Sequence, residues 1–249
     1  MTLWRETGSP WALGLLRAAT ALLVWAESYA SWRPPHHVDE PIVLLIGALL
    51  GLSSTAMLVG WHGRLAAGLT GLGMLLLHGA GVAYGLGGGG LPFATASTFE
   101  LALTCILLSL GPCSDASSID AIRAERASVV PLWSLALLRL HGSLTLGFVA
   151  LGHLDGAWLS GERLARMLTA RRQVLVEAGG LETGAAWLWV GLELLAVAAP
   201  WLPRSPWAVW LAAAFLLAQY PVLYTGTWSL HMAALVVLTA RSRPEARDL

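Results

Sequence analysis

The stretch LALLRLHGSLTLGFVALGHLDGAWLSG occupies residues 135–161. Up to Leu151 it is apolar enough to lie in a lipid bilayer, where a helical span needs roughly 20 residues. Yet Arg139 and His141 sit in its first half, and His153, Leu154 and Asp155 follow the apolar run. Ionisable side chains at membrane depth cost about 2.5–3.5 kcal/mol each on insertion scales, so they are kept for pairing or for function. Asp155, Gly156 and Gly161 break the run into a loop. That places His153 and Asp155 within reach of solvent at the mouth of a polar cavity, with Trp158 at the membrane–water interface. Arg139 and His153 fall within about 40° of each other around a helix and roughly 21 Å apart along it. His141 and Asp155 repeat the relation. One helix face thus has polar groups at both ends, as two interface anchors or as the lining of one path.

The rest of the chain has the same character. Of its 249 residues 56% are hydrophobic and 12% are charged, and the mean hydropathy is +0.66. Soluble domains are about one-quarter charged, so the class is a polytopic membrane protein. Thirteen tryptophans suit the half-wetted membrane interface. Net charge is zero, which offers no footprint for nucleic acid. Arginine supplies every permanent positive side chain, and the chain has neither Lys nor Asn. No lysine is therefore available as a Schiff-base former or general base. Cys105 and Cys113 stand about 12 Å apart along a helix, too far for a disulfide unless the helix breaks at Gly111-Pro112, and read as free thiols. No signal-peptide cleavage site follows the short apolar run at the start, so the first apolar segment is read as a retained span.

Hydropathy predicts about eight membrane helices in one bundle: 11–31, 42–61, 65–86, 95–110, 130–151, 185–202, 206–223 and the short 228–240. GGGGLP ends the third, because glycine and proline continue a helix only at a cost. SSIDAIRAERAS, from Ser117, reads as a short surface helix with a serine cap. SGERLARMLTARRQVLVEAG, residues 160–179, reads as a second amphipathic surface stretch, with Leu164, Met167 and Leu168 on one face. The fold class is thus an all-α integral membrane protein with two short amphipathic surface helices. Residues 1–240 form one transmembrane domain and 241–249 a polar tail. With eight spans, one face holds eight arginines and the other five, which favours cytoplasmic termini.

Arg17, Glu27, His78, Glu100, Arg139, His141 and Glu193 fall within the spans. They are expected to face the bundle interior and to line a shared polar cavity, or to pair with one another between helices. For Glu193 the expected partners are Arg17 or Arg139. HHVDE at 36–40 has metal-capable side chains but no second cluster at ligand spacing, so no metal site is expected. GGGG at 87–90 follows no strand and lacks a Walker lysine, which excludes a phosphate loop. No G-x-S-x-G or H-E-x-x-H occurs, so no stand-alone catalytic motif is present.

VVPLWSLALLRLHGSLTLGFVALGHLDGAWLSGERLARML, residues 129–168, resembles the HTTM (horizontally transferred transmembrane) domain family, whose best-known member is vitamin K-dependent γ-carboxylase. The shared pattern is VPLW with a following Ala and Leu-Arg over 130–139, then LDGAWLSG at 154–161. SSIDAI at 117–122 also fits, and PWALGLLRAATALL at 10–23 is similar to the family's first helix. DoxX-like and MauE-like membrane proteins share a weaker version of the pattern. The resemblance implies an eight-helix bundle with a reactive site where His153-Leu154-Asp155 and Trp158 cap the fifth span. The carboxylase has a lysine base directly before Leu-Asp, where this chain has His153. Its Asn-His pair matches Ala96-Ser97 here, a later histidine falls near Tyr220, and its lumenal substrate domain has no counterpart. These departures argue against γ-carboxylation.

Two functional readings follow. The first is a non-catalytic subunit or scaffold of a membrane complex, in contact with lipid and with other membrane subunits. The second is a membrane enzyme, a quinone-linked oxidoreductase or carboxylase-like protein, using a quinone or other lipophilic cofactor. In that reading His153 is the base, since histidine exchanges protons near neutral pH, Asp155 orients it and an in-span Glu assists. The setting expected for either is a bacterial inner membrane. The amphipathic reading of residues 160–179 has a direct check. Single cysteines placed at Arg163 and Val176 should label from the same side of the membrane, and labelling from opposite sides rejects it.

Overall fold

A computed structural model describes residues 7–8, 11–32, 41–86, 95–113, 118–124, 130–131, 133–167, 181–202, 205–223 and 227–240. Within them the chain is helical, apart from a two-residue antiparallel pairing of Thr7–Gly8 with Val130–Pro131. The helices are α1 (Trp11–Trp32), α2 (Pro41–Val59), α3 (Gly63–Leu86), α4 (Ala96–Leu110), α5 (Ile119–Ala124), α6 (Trp133–Gly152), α7 (Gly156–Leu159), α8 (Glu162–Met167), α9 (Glu182–Ala198), α10 (Pro206–Leu223) and α11 (Thr227–Ala240). A 3₁₀ turn at Ala199–Trp201 extends α9. Each predicted apolar segment is a helix whose ends move by only a few residues. The HHVDE and GGGG loops, residues 168–179 of the second amphipathic stretch and the polar tail lie outside the described residues.

Three helical stretches are long and apolar enough to cross a membrane: Gly63–Ala83, Trp133–Gly152 and Glu182–Trp201. The shorter apolar stretches are Leu44–Val59, Ala96–Leu110, Pro206–Gln219 and Thr227–Ala240. At 1.5 Å per residue, α4 and α11 reach only about 22 Å, less than the ~30 Å hydrocarbon core. The sequence-based expectation of eight spans therefore reduces to this coarser statement. The chain also divides into two compact units, 1–138 with 241–249, and 139–240. The division falls within α6.

In the first unit α3 packs on α2 and α4, and α1 packs on both of those helices. Helix ends are where backbone groups lack intrahelical partners, and this unit satisfies several of them with charged side chains. The carboxylate of Asp120 on α5 accepts from the backbone N–H of His62 (3.1 Å) and of Gly63 (3.0 Å), at the start of α3. In return the Asp120 N–H donates to Gly60 O at 3.3 Å. Arg64 donates from Nε to Ser109 O (3.0 Å) and from Nη2 to Leu110 O (3.3 Å), at the end of α4. Buried Arg17 donates from Nη1 to Cys113 O at 3.0 Å. Ser118 Oγ accepts from Ala121 N–H at 2.9 Å and so caps α5, as the sequence predicts. Cys105 and Cys113 are both buried free thiols.

In the second unit α10 packs on α11 and on α9, and α7 and α8 lie against the beginning of α9. Helix α6 is tied to its neighbours by Ser143 Oγ donating to Val197 O at 3.0 Å, and by Arg139 Nη2 donating to Thr239 O at 2.5 Å. The described part of the amphipathic stretch is α8. Leu164 is buried with Trp158, Ala186 and Val190, while Glu162, Arg163 and Arg166 stay exposed. Glu162 and Arg166 form an ion pair one turn apart.

The α2–α3 turn is the tightest point of the first unit. Gly60 has φ +72°, and a Cβ there would lie 2.2 Å from Ser118 Cβ and 2.5 Å from Arg17 Nη1. Gly60→Ala should destabilise the protein by about 1–3 kcal/mol, the range for enforced backbone strain. Asp120→Ala should cost about 1 kcal/mol, as loss of a helix cap does. Chemical unfolding in detergent, followed by circular dichroism, measures both. Wild-type stability in either variant would reject the clamp.

Candidate functional site

His153 follows the last turn of α6, its backbone N–H shared between Val149 O and Ala150 O at 3.1 Å each. Asp155 then caps α7. Its Oδ1 accepts from the Trp158 N–H at 2.7 Å, and its Oδ2 pairs with Arg163 Nη1 at 2.5 Å. This short capped turn folds Trp158 back over His153. The two rings stack with centroids 3.7 Å apart and planes 11° from parallel. Trp158 is only 1% exposed and so is packed inside the protein. Its ring packs against His153 and Trp189, while its Nε1–H is buried without a hydrogen-bond partner among the described residues.

Glu193 projects from the middle of α9 and is also 1% exposed. His153 Nδ1 lies 2.9 Å from its Oε1 and 2.8 Å from its Oε2. Trp189, one turn earlier on α9, donates from Nε1 to Oε1 at 2.9 Å. Trp189 in turn packs edge-on against Phe215 and Trp158, with centroids 5.0 and 6.4 Å away. With the carboxylate as acceptor, this network assigns the neutral imidazole its proton on Nδ1 and leaves the Nε2 lone pair outward as an acceptor. Nε2 bonds to no described residue, and the His153 side chain keeps 22% of its surface open.

Glu193 thus faces inward as predicted, but its partners are different. The expected partner Arg139 is held by Thr239 O, and its guanidinium lies 5.2 Å from the Trp201 ring centroid. Arg17 is held by Cys113 O. The predicted role of Asp155 in orienting His153 is corrected as well. Both of its oxygens are engaged by the Trp158 N–H and by Arg163, and Glu193 orients the imidazole instead.

The other predicted cavity residues have the following surroundings. In the first unit Glu27 Oε1 accepts from Thr95 Oγ (3.1 Å) and Ser97 Oγ (3.2 Å), the residues that open α4. His78 Nδ1 meets Thr98 Oγ at 3.0 Å. Thr98 Oγ also lies within hydrogen-bond reach of Thr95 O at 2.8 Å. Glu100 is half-buried on α4 and His141 half-buried on α6. Among the described residues no group of three or more His, Cys, Asp or Glu is placed to hold a metal ion. Trp189 is not among the residues expected from the sequence, although a Trp four residues before a lone in-span Glu is the spacing at which the two meet on a helix. Thr95, Ser97 and Thr98 carried no comparable sign, since hydroxyls in apolar helices usually bond back to their own turn.

Compared with protein-family models, with curated proteins and with solved structures, the chain matches none.

The His153–Glu193 pair can be tested as a physical unit. In a double-mutant cycle of His153→Ala and Glu193→Gln, unfolding free energies should show a coupling of about 1–2 kcal/mol, as for side chains sharing a buried polar contact. Additive effects would mean that the two do not act together.

Proposed function

We propose that this chain is an integral membrane enzyme of the HTTM type, in which His153 takes a proton from a lipophilic substrate and Glu193 holds the imidazole in place. The observation that carries the reading is a buried carboxylate bonded to one ring nitrogen while the other is left unengaged. A carboxylate–histidine pair works as a base in this way because the fixed carboxylate sets the tautomer and stabilises the imidazolium that forms. In the step itself the substrate X–H bond breaks and an Nε2–H bond forms. The positive charge faces Glu193 through Nδ1–H, and the open face of His153 returns the proton to water. The resemblance adds support, since the family has its reactive base at the position of His153. On this reading the substrate or cofactor is a quinone or another lipophilic molecule. The eight helices span a bacterial inner membrane as one bundle, with both termini cytoplasmic.

The rival is the scaffold subunit that the missing carboxylase residues suggest. Trp187, Leu188, Trp207 and Trp210 on α9 and α10 are all more than half exposed, and either lipid or a partner helix can cover them. One comparison separates the two readings. Membranes containing the wild type, His153→Ala or Glu193→Gln are analysed for lipid-soluble metabolites, and the purified proteins for companions. Loss of a general base should slow turnover of one lipophilic metabolite by about 10²–10⁴-fold in His153→Ala, with companions unchanged. Unaltered metabolites in both variants, together with loss of a companion protein in Leu188→Trp or Trp210→Ala, would replace the enzyme with the scaffold.

A further inference from the structure

A second line of polar contacts crosses the first unit, apart from His153 and Glu193. It begins at Glu27 on α1, whose Oε1 lies 3.1 Å from Thr95 Oγ. Thr95 Oγ lies 3.4 Å from Thr98 Oγ, and Thr98 Oγ lies 3.0 Å from His78 Nδ1 on α3. Two hydroxyls thus join a carboxylate to an imidazole without a break. Glu27, Thr95 and His78 are half-buried and Thr98 is buried. Thr98 stands three residues along α4 from Thr95, so the line steps about 4.5 Å inward from the helix end. His78 falls within Gly63–Ala83, one of the stretches long and apolar enough to cross a membrane.

Each hydroxyl has acceptors on both sides. Thr95 Oγ can donate towards Glu27 or towards Thr98, and Thr98 Oγ reaches Thr95 O as well as His78 Nδ1. Capping of α4 does not account for the carboxylate, because the Thr98 N–H is met by Thr95 Oγ at 3.2 Å. Helix α2, which packs on both α1 and α3, carries no ionisable side chain. Glu100 on α4 is turned about 200° around the helix from Thr98. The start of α4 presents backbone N–H groups, a setting that suits a carboxylate and opposes a metal cation among these oxygens.

We infer that Glu27, Thr95, Thr98 and His78 form a proton relay between water at the helix ends and an imidazole at membrane depth. The inference is independent of the chemistry proposed at His153. Glu and His side chains retained in apolar helices are the usual members of such relays. In the transfer the Glu27 O–H bond breaks as Thr95 Oγ takes its proton. Thr95 passes its own proton to Thr98, Thr98 passes its own to His78, and an Nδ1–H bond forms. A neutral acid and a neutral imidazole become a carboxylate and an imidazolium, with no other reactant. The reverse transfer runs through the same atoms, and Nε2 lies outside the line.

The test uses the full chain, with isotopically labelled histidine, in phosphatidylethanolamine–phosphatidylglycerol nanodiscs. At a pH where the His78 ring carries both protons, NMR follows the exchange of each ring N–H with water, and His78→Gln assigns the two signals. Thr98→Val keeps the side-chain shape and removes one hydroxyl. It should slow exchange at Nδ1 by about 10²-fold, the low end of what a positioned proton-transfer group contributes, and leave Nε2 unchanged. Glu27→Gln should slow Nδ1 in the same way. Ser97→Ala leaves the direct contact of Glu27 with Thr95 in place, and should have no such effect. A bond that only holds the helices together has the opposite signature. Thr98→Val would then open the Nδ1–H to water and quicken its exchange, and Glu27→Gln would not change it. Faster or unchanged exchange at Nδ1 in either variant therefore overturns the relay, as does equal slowing at both nitrogens. If Thr98→Val fails to fold, Glu27→Gln decides alone.

Discussion

A carboxylate removed from water must find hydrogen-bond donors nearby, and Glu193 shows what that requirement builds. A mid-helix acidic side chain facing lipid would cost several kcal/mol. Here it receives an indole N–H from one turn back on its own helix and an imidazole from the end of α6. Satisfying it draws in the surrounding aromatics. Trp189 is held by Phe215, and Trp158 covers His153. Asp155 contributes by capping the turn that brings Trp158 into position. The same contacts that keep the charge tolerable leave one imidazole nitrogen facing outward, so the needs of stability and the proposed chemistry meet in one side-chain pair.

The first unit obeys the same rule at its helix ends. Backbone groups that no intrahelical bond can satisfy are met by long or ionised side chains: Asp120 at the start of α3, Arg64 at the end of α4, and Arg17 just beyond it. This gives the SSIDAI segment a physical role, since its aspartate locks the α2–α3 turn and its second serine caps α5. Gly60 is required because the clamp brings Ser118 and Arg17 too close for any side chain there. Glu27 is handled differently. Hydroxyls at the opening of α4 are among its donors.

Two of the lone charges of the apolar helices are met by main-chain groups within their own unit. Arg17 and Arg139 both donate to main-chain carbonyls. A guanidinium with five N–H donors is met as well by carbonyls as by a carboxylate, and helix ends supply carbonyls in abundance. Complementary charge alone was a poor guide to pairing for that reason.

What the sequence determined by itself was the helices and most of their ends. Long apolar runs, the Gly-Pro and Asp-Gly breaks, and the serine cap before Ile119 act within a few residues, and the structure has helices where they predict them. The inward position of Glu193 was legible too, because lipid admits no other place for it. Its partners were not, nor was the burial of Trp158. Each residue turns a helix face by 100°, so small changes in rotation or in the turn after α6 decide whether Glu193 meets His153 or an arginine. That choice is set by how α6, α7 and α9 pack, and only the tertiary structure contains it.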